Sequence, residues 1–169
     1  MFRLAELYYE RSAVDYDEAL ERYNTARAAW ETSKAGPEPD VPERNFDEVL
    51  RTYRRLVDTF GGTYRYADAV YYLMGYVEAE AGNPAGSRKA WMELVAKHPK
   101  SDYAPEVWLR IGENHFDVGD FDKAAAAYQK ALAYTESRFY DKALYKLAWT
   151  YFQLFDYDKA IKTFKELIG

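Results

Sequence analysis

The sequence predicts an all-α protein built from repeated helix pairs, and three observations predict it. A small residue returns at a near-constant step: Gly75, Gly112 and Ala148 stand 37 and 36 residues apart, each directly after Met74, Ile111 or Leu147. Twelve residues beyond each comes a second small residue, Ser87, Ala124 or Ala160, followed four later by Trp91, Tyr128 or Phe164. Between the two lie helix-start signals, Asn83-Pro84, Gly119-Asp120 and Asp156, whose side chains suit an N-cap and whose proline suits a first helical position. Self-similarity at such a period marks stacked supersecondary units.

The elements follow in order. FRLAELYYERS predicts a first helix, and DYDEALERYNTARAAWE a partner for it carrying Tyr16, Ala19, Tyr23 and Ala26, so that residues 2–31 form a hairpin. Residues 35–43, AGPEPDVPE, hold three of the six prolines and a glycine and predict an exposed loop. NFDEVLRTYRRLVDTF then predicts a lone helix, with Asn45 and Glu48 at capping-box spacing and an apolar face of Phe46, Val49, Leu50, Tyr53, Leu56 and Val57. Three paired units follow at 67–104, 105–140 and 141–169, giving about nine helices after an irregular stretch at 1–66.

The small residues have a steric purpose. Where two antiparallel helices cross closely, one residue on each is small and the neighbouring aromatic fills the wedge, so Gly112 and Ala124 are expected to face each other. The clearest copy is VWLRIGENHFDVGDFDKAAAAYQKAL, residues 107–132, with Trp108, Gly112, the turn Gly119-Asp120-Phe121, Ala124, Tyr128 and Ala131. This pattern resembles the tetratricopeptide repeat, over residues 66–168 and less regularly over 1–60. The resemblance implies a right-handed α-α superhelix, a single solenoid over 1–169.

The sequence departs from the family in length. Its units exceed the ordinary 34 residues through HPKSDYAP and SRFYD, and Glu136 stands where Pro99 keeps the family's closing proline. Long connections of this kind resemble bacterial cell-envelope repeat proteins of the outer-membrane-assembly lipoprotein and Tol-Pal-associated types. That likeness implies the periplasm or cell envelope, with cytoplasm as the second expectation. Phe2-Arg3-Leu4-Ala5 starts partway into a repeat, and Gly169 closes without a polar capping helix, so a piece of a longer array is expected.

In the family, the first helix of each pair lines a concave groove. Carried over, the groove positions are Tyr72, Tyr76 and Ala79, then Leu109, Glu113 and Phe116, then Tyr145, Trp149 and Phe152. The resemblance thus implies a protein or peptide partner held by aromatic side chains, which bury much area at low entropic cost. The Lys-Asn-Arg clamp by which some family members hold a terminal carboxylate is missing from these positions. An apolar or aromatic partner segment is expected instead, with basic groups to meet Glu80, Glu113 and Asp117. A second expectation, of a different class, is a spacer or self-assembly unit associating through open repeat ends.

Composition limits the other classes. With 28 acidic against 23 basic residues the net charge is -5, so the phosphate-neutralising contribution to nucleic-acid affinity is missing. The absence of cysteine removes disulfides and thiol chemistry together. No apolar run approaches the ~20 residues of a transmembrane helix. Asp17-Glu18 and Asp47-Glu48 lie in first turns, where carboxylates suit the helix dipole. His98 sits in a turn, and Glu113, His115 and Asp117 alternate at a spacing that spreads them around a helix. No nucleotide, hydrolase or metalloprotease motif is present. No catalytic residue, cofactor, metal or small-molecule substrate is therefore expected. Arg51, Arg54 and Arg55 could meet an acidic partner, and a solvated helix face is the simpler reading.

Overall fold

A computed structural model describes residues 1–61 and 63–168. Gly169, the last residue of the third expected unit, lies outside the described residues. Eight helices and no strand are found among them: α1 (Phe2–Ser33), α2 (Asp47–Phe60), α3 (Ala67–Glu80), α4 (Pro84–Lys97), α5 (Ala104–Asp117), α6 (Phe121–Leu132), α7 (Tyr140–Gln153) and α8 (Tyr157–Ile168). None of these helices is long and apolar enough to cross a membrane. The chain divides into two compact units, Met1–Tyr64 and Arg65–Gly169.

In the first unit, the hairpin expected over residues 2–31 is one continuous helix of 32 residues. The joining residues explain it. Ser12-Ala13-Val14-Asp15 contains neither glycine nor proline, the Ser12 hydroxyl donates back to the Tyr9 carbonyl at 2.7 Å, and Arg11 pairs with Asp15 one turn on. The later repeats, by contrast, turn through Gly82 and Gly119 at φ 70° and 77°. Tyr16, Ala19, Tyr23 and Ala26 are thus part of α1 and not a separate second helix.

The partner of the first half of α1 is α2. Phe2 meets Tyr53 and Tyr9 stacks on Phe46, while Val49, Leu50, Leu56 and Val57 are buried as the apolar pattern expects. Arg44 fastens the returning loop: its Nε donates to Ser12 Oγ at 3.0 Å, its Nη2 to the Tyr9 carbonyl at 2.9 Å, and its guanidinium lies over the Tyr9 ring. The capping box is not formed. Phe46 occupies the N-cap, Asn45 accepts the Asp47 N–H, and Glu48 turns to Arg51.

The second unit is three helix pairs, α3/α4, α5/α6 and α7/α8, and each crossing is built as the small residues require. A Cβ added at Gly75 would fall on the Trp91 indole, and one added at Gly112 on the Tyr128 ring. Ser87 and Ala124 are buried at these two crossings, and Ala148 and Ala160 are buried in the third pair. The core of the middle pair joins Leu109, Ala124, Ala125, Tyr128 and Ala131 to Ala143 and Leu147 of α7, so this pair is covered by the next first helix.

The long connections are repeated structures. Ser101 donates its N–H to His98 and accepts from the Ala104 N–H through its carbonyl, while its Oγ accepts from the Tyr103 N–H. Ser137 makes the same three bonds with Tyr134, Tyr140 and Phe139. The extra residues therefore form a serine-centred turn ahead of α5 and of α7. At the helix starts, Asn83 and Asp156 cap with their side chains, whereas the Asp120 carboxylate meets Lys123.

Candidate partner-binding surface

Of the nine expected groove positions Ala79 is exposed with no large side chain to offer, and the other eight divide into three groups. Tyr72, Tyr76 and Glu113 belong to a polar ladder that ties α3, α5 and α7 together. The Tyr72 hydroxyl donates to Glu106 Oε2 at 3.0 Å and the Tyr76 hydroxyl to Glu106 Oε1 at 2.7 Å. Arg110, one turn along α5, donates to the Tyr76 hydroxyl at 3.0 Å and to Glu113 Oε2 at 3.0 Å. Glu113 in turn receives Lys142 from α7 at 3.0 Å. Tyr103 stacks on Tyr72 with ring centroids 4.3 Å apart, and Trp91 meets Tyr76 edge-on.

The electrostatics follow the bonds. Burial pushes the Glu106 carboxyl up, but the hydrogen bonds from Tyr76 and Tyr72 and the charge of Arg110 outweigh it and leave the group below its ordinary value. Burial, with the bond to Glu106, pushes the Tyr76 hydroxyl up. Both tyrosines are thus neutral donors to a carboxylate and occupied by it.

Leu109, expected to line the groove, is fully buried. It packs under Ala143 and Leu147 because an apolar side chain at this position is what the next helix seats upon. Phe116 is half-buried against Phe121 at 5.2 Å. Leu109 is thus closed to a partner, and Phe116 presents only part of its ring.

The last three residues are different. Tyr145, Trp149 and Phe152 are 46%, 39% and 45% exposed, on one side of α7. Their rings form a chain of edge-to-face contacts, Tyr145 to Trp149 at 6.3 Å and Trp149 to Phe152 at 5.6 Å. Phe164 of α8 touches both Tyr145 and Trp149, and Tyr157 touches Phe152 and Phe155. The result is one apolar surface across α7, its following turn and α8.

Phe155 in that turn is the residue the sequence reasoning missed, and the signal was available. It stands in register with Gly82 and Gly119 and adopts the same left-handed conformation, φ 58°, with its ring 76% exposed. A non-glycine residue at positive φ costs about 1–2 kcal/mol, and strain of this kind collects at functional surfaces. Phe155→Gly should stabilise the α7/α8 pair by about 1 kcal/mol, the left-handed penalty less glycine's extra chain entropy. A urea melt followed by circular dichroism checks it; a lowered midpoint would show that the ring, not the backbone, decides stability here.

Glu106, Arg110 and Lys142 are likewise outside the expected set, because they precede or follow the groove positions along their helices. Arg51, Arg54 and Arg55 are exposed on α2, where Arg51 pairs with Glu48. His115 lies 3.8 Å from Asp120, and burial followed by the charge of Arg88 pushes its pKa down. Among the described residues no three His, Asp or Glu side chains are placed to hold a metal ion.

Residues 69–101 and residues 103–168 each match the tetratricopeptide-repeat family. No curated protein matches the sequence. Among solved structures, a crystal structure of the MamA protein is similar over 99% of this chain and 92% of its own, with 17% identity and a TM-score of 0.59. A second crystal structure of MamA is 22% identical, with a TM-score of 0.57 over 73% of this chain and 67% of its own. These likenesses show a common fold.

Proposed function

Because this chain is a tetratricopeptide-repeat protein, its matches at 69–101 and 103–168 spanning more than half its length, we propose that it is a non-enzymatic scaffold that captures a protein partner on the aromatic surface of α7 and α8. The observation that carries this reading is the exposure of Tyr145, Trp149 and Phe152 as one continuous set of rings. Large apolar side chains left together at a surface mark interaction sites, and Tyr and Trp supply both area and a donor for orientation. The expected groove is thereby narrowed, since Tyr72 and Tyr76 are engaged with Glu106.

The test compares the wild-type chain with a Tyr145→Ala/Trp149→Ala variant in affinity capture from source-cell lysate, quantified by mass spectrometry. A specific partner should fall at least tenfold in the variant, whose circular dichroism should match the wild type because both side chains are exposed. Capture unchanged by the variant would remove this reading and leave the spacer and self-assembly role, for which the exposed Leu4, Leu7 and Val14 of α1 speak. The long serine-centred connections are the feature that supports a cell-envelope compartment.

A further inference from the structure

The proposed binding surface has relatives inside this chain that are already covered, and they specify what covers it. On α6, Phe121, Ala125, Tyr128 and Leu132 occupy the same repeat positions as Tyr157, Ile161, Phe164 and Ile168 on α8. Ala125 is 7% exposed, seated in the core with Ala143 and Leu147 of α7, whereas Ile161 is 54% exposed. On the first helices, Leu109 is the counterpart of Tyr145, and it too lies under Ala143 and Leu147. The occupant of such a face within the chain is therefore another repeat's first helix, presenting apolar residues four positions apart: Ala143 and Leu147 on α7, Val107 and Ile111 on α5.

The polar partner is specified as well. The residue just before that apolar pair meets the preceding repeat at one fixed position. Lys142 of α7 meets Glu113, and Glu106 of α5 meets Tyr76. In each case the charge or hydrogen-bonding sense is matched, carboxylate to ammonium and hydroxyl to carboxylate. The third residue at the position of Tyr76 and Glu113 is Trp149, and the third at the position of Tyr72 is Tyr145. An indole N–H can only donate, and a phenol beside it readily does so. The pair Tyr145 and Trp149 is therefore the donor equivalent of Tyr72 and Tyr76, which one carboxylate satisfies together.

We propose that the α7–α8 surface docks an amphipathic helix of a partner protein whose first turn carries a glutamate, followed directly by one apolar residue and by another four positions later. The glutamate accepts from Tyr145 Oη and Trp149 Nε1, as Glu106 accepts from Tyr72 and Tyr76. The two apolar side chains seat among Tyr145, Ile161 and Phe164, as Ala143 and Leu147 seat among Leu109, Ala125 and Tyr128. Lys165, one turn from Ile161 and Ile168 on α8, adds a cation beside the apolar stripe for further acidic groups on such a helix. This inference rests on the reading of the preceding subsection and gives its partner a chemistry.

The experiment uses the full chain and a fluorescein-labelled, helix-stapled peptide of residues 101–117, the sequence that covers Tyr72 and Tyr76 in the protein itself. Stapling removes the cost of ordering a helix this short. Fluorescence anisotropy should rise to saturation. Affinity should fall at least tenfold when Glu106 of the peptide is replaced by leucine, and equally for the Tyr145→Phe/Trp149→Phe protein, which keeps an aromatic ring at each position and loses the donors. Combining the two changes should cost little more than either, since they remove one interaction. Absence of saturable binding, or binding indifferent to the Glu106→Leu change, overturns the inference. If lysate capture still depends on Tyr145 and Trp149 in that case, the scaffold reading survives while this partner chemistry falls. Self-association in sedimentation that is lost in the same protein variant would give the face to a second copy, and would also overturn it.

Discussion

Gly112→Val should destabilise the second unit by about 3 kcal/mol, the upper part of the range for forcing extra atoms into a packed core. The position is interior to α5, where a side chain would ordinarily help: alanine is better than glycine in a helix by about 1 kcal/mol. Here the crossing overrides propensity. A Cβ at 112 falls on Cε1, Cδ1 and Cζ of Tyr128, and that ring is fully buried with Leu109, Ala124, Ala125 and Ala131 around it, so it cannot swing aside. The Tyr128 hydroxyl has no hydrogen-bond partner among the described residues, so packing of the ring is the contact that counts at this wedge. Urea unfolding followed by circular dichroism measures the loss. Replacing Tyr128 by leucine in the same chain should recover part of it, a non-additivity expected only of groups in contact. A change below about 0.5 kcal/mol, the size of an indifferent surface substitution, would mean that the helices do not cross at this residue.

That crossing was legible in the sequence, and the reason is physical. Close approach needs a small residue, few residue types are small, and the requirement returns with each pair, so Gly75, Gly112 and Ala148 reveal the period without any structure. Turns through Gly82 and Gly119 are legible for the same reason, since left-handed backbone favours glycine. The first 33 residues carry the second-helix signature at Tyr16, Ala19 and Tyr23 without a breaker before it, and local helix continuity prevailed over the pattern. A pattern records which face could pack; only the chain connection decides whether a helix turns back to use it.

The surface was half legible for a related reason. Family positions gathered Tyr145, Trp149 and Phe152, which do lie on one side of α7, because the geometry of a helix face fixes which residues lie together. They could not distinguish a ring that faces solvent from one held by the next repeat. Tyr72 and Tyr145 are the same residue type at the same repeat position, yet one donates to Glu106 and the other is exposed. The difference lies in a residue 34 positions away, which no local window contains.

Glu106→Ala therefore has a consequence that the groove residues alone would not suggest: a loss of about 3 kcal/mol in the stability of the second unit, the lower end of the cost of removing one partner from a buried charged pair. The carboxylate is only 10% exposed as a side chain, and its removal leaves the Tyr72 and Tyr76 hydroxyls without their acceptor and takes from Arg110 one acceptor, Glu113 and the Tyr76 hydroxyl remaining to it. Arg110 can recover water, being 34% exposed, which keeps the estimate below the full penalty for a dry site. The same carboxylate makes stability depend on pH. Its folded value lies below the ordinary 4.5, so the contribution is fully present above 4.5 and is lost as pH falls through the lower folded value. Wild-type midpoints in urea should thus decline on acidification below about pH 4.5 more steeply than those of Glu106→Gln, which cannot titrate. Parallel acid profiles for the two proteins would show that Glu106 is not the group that titrates. Partner capture through Tyr145 and Trp149 should be retained by Glu106→Gln at neutral pH, because the clasp joins α3 to α5 and the exposed rings belong to α7; a loss of capture equal to that of Tyr145→Ala/Trp149→Ala would return Tyr72 and Tyr76 to the binding surface.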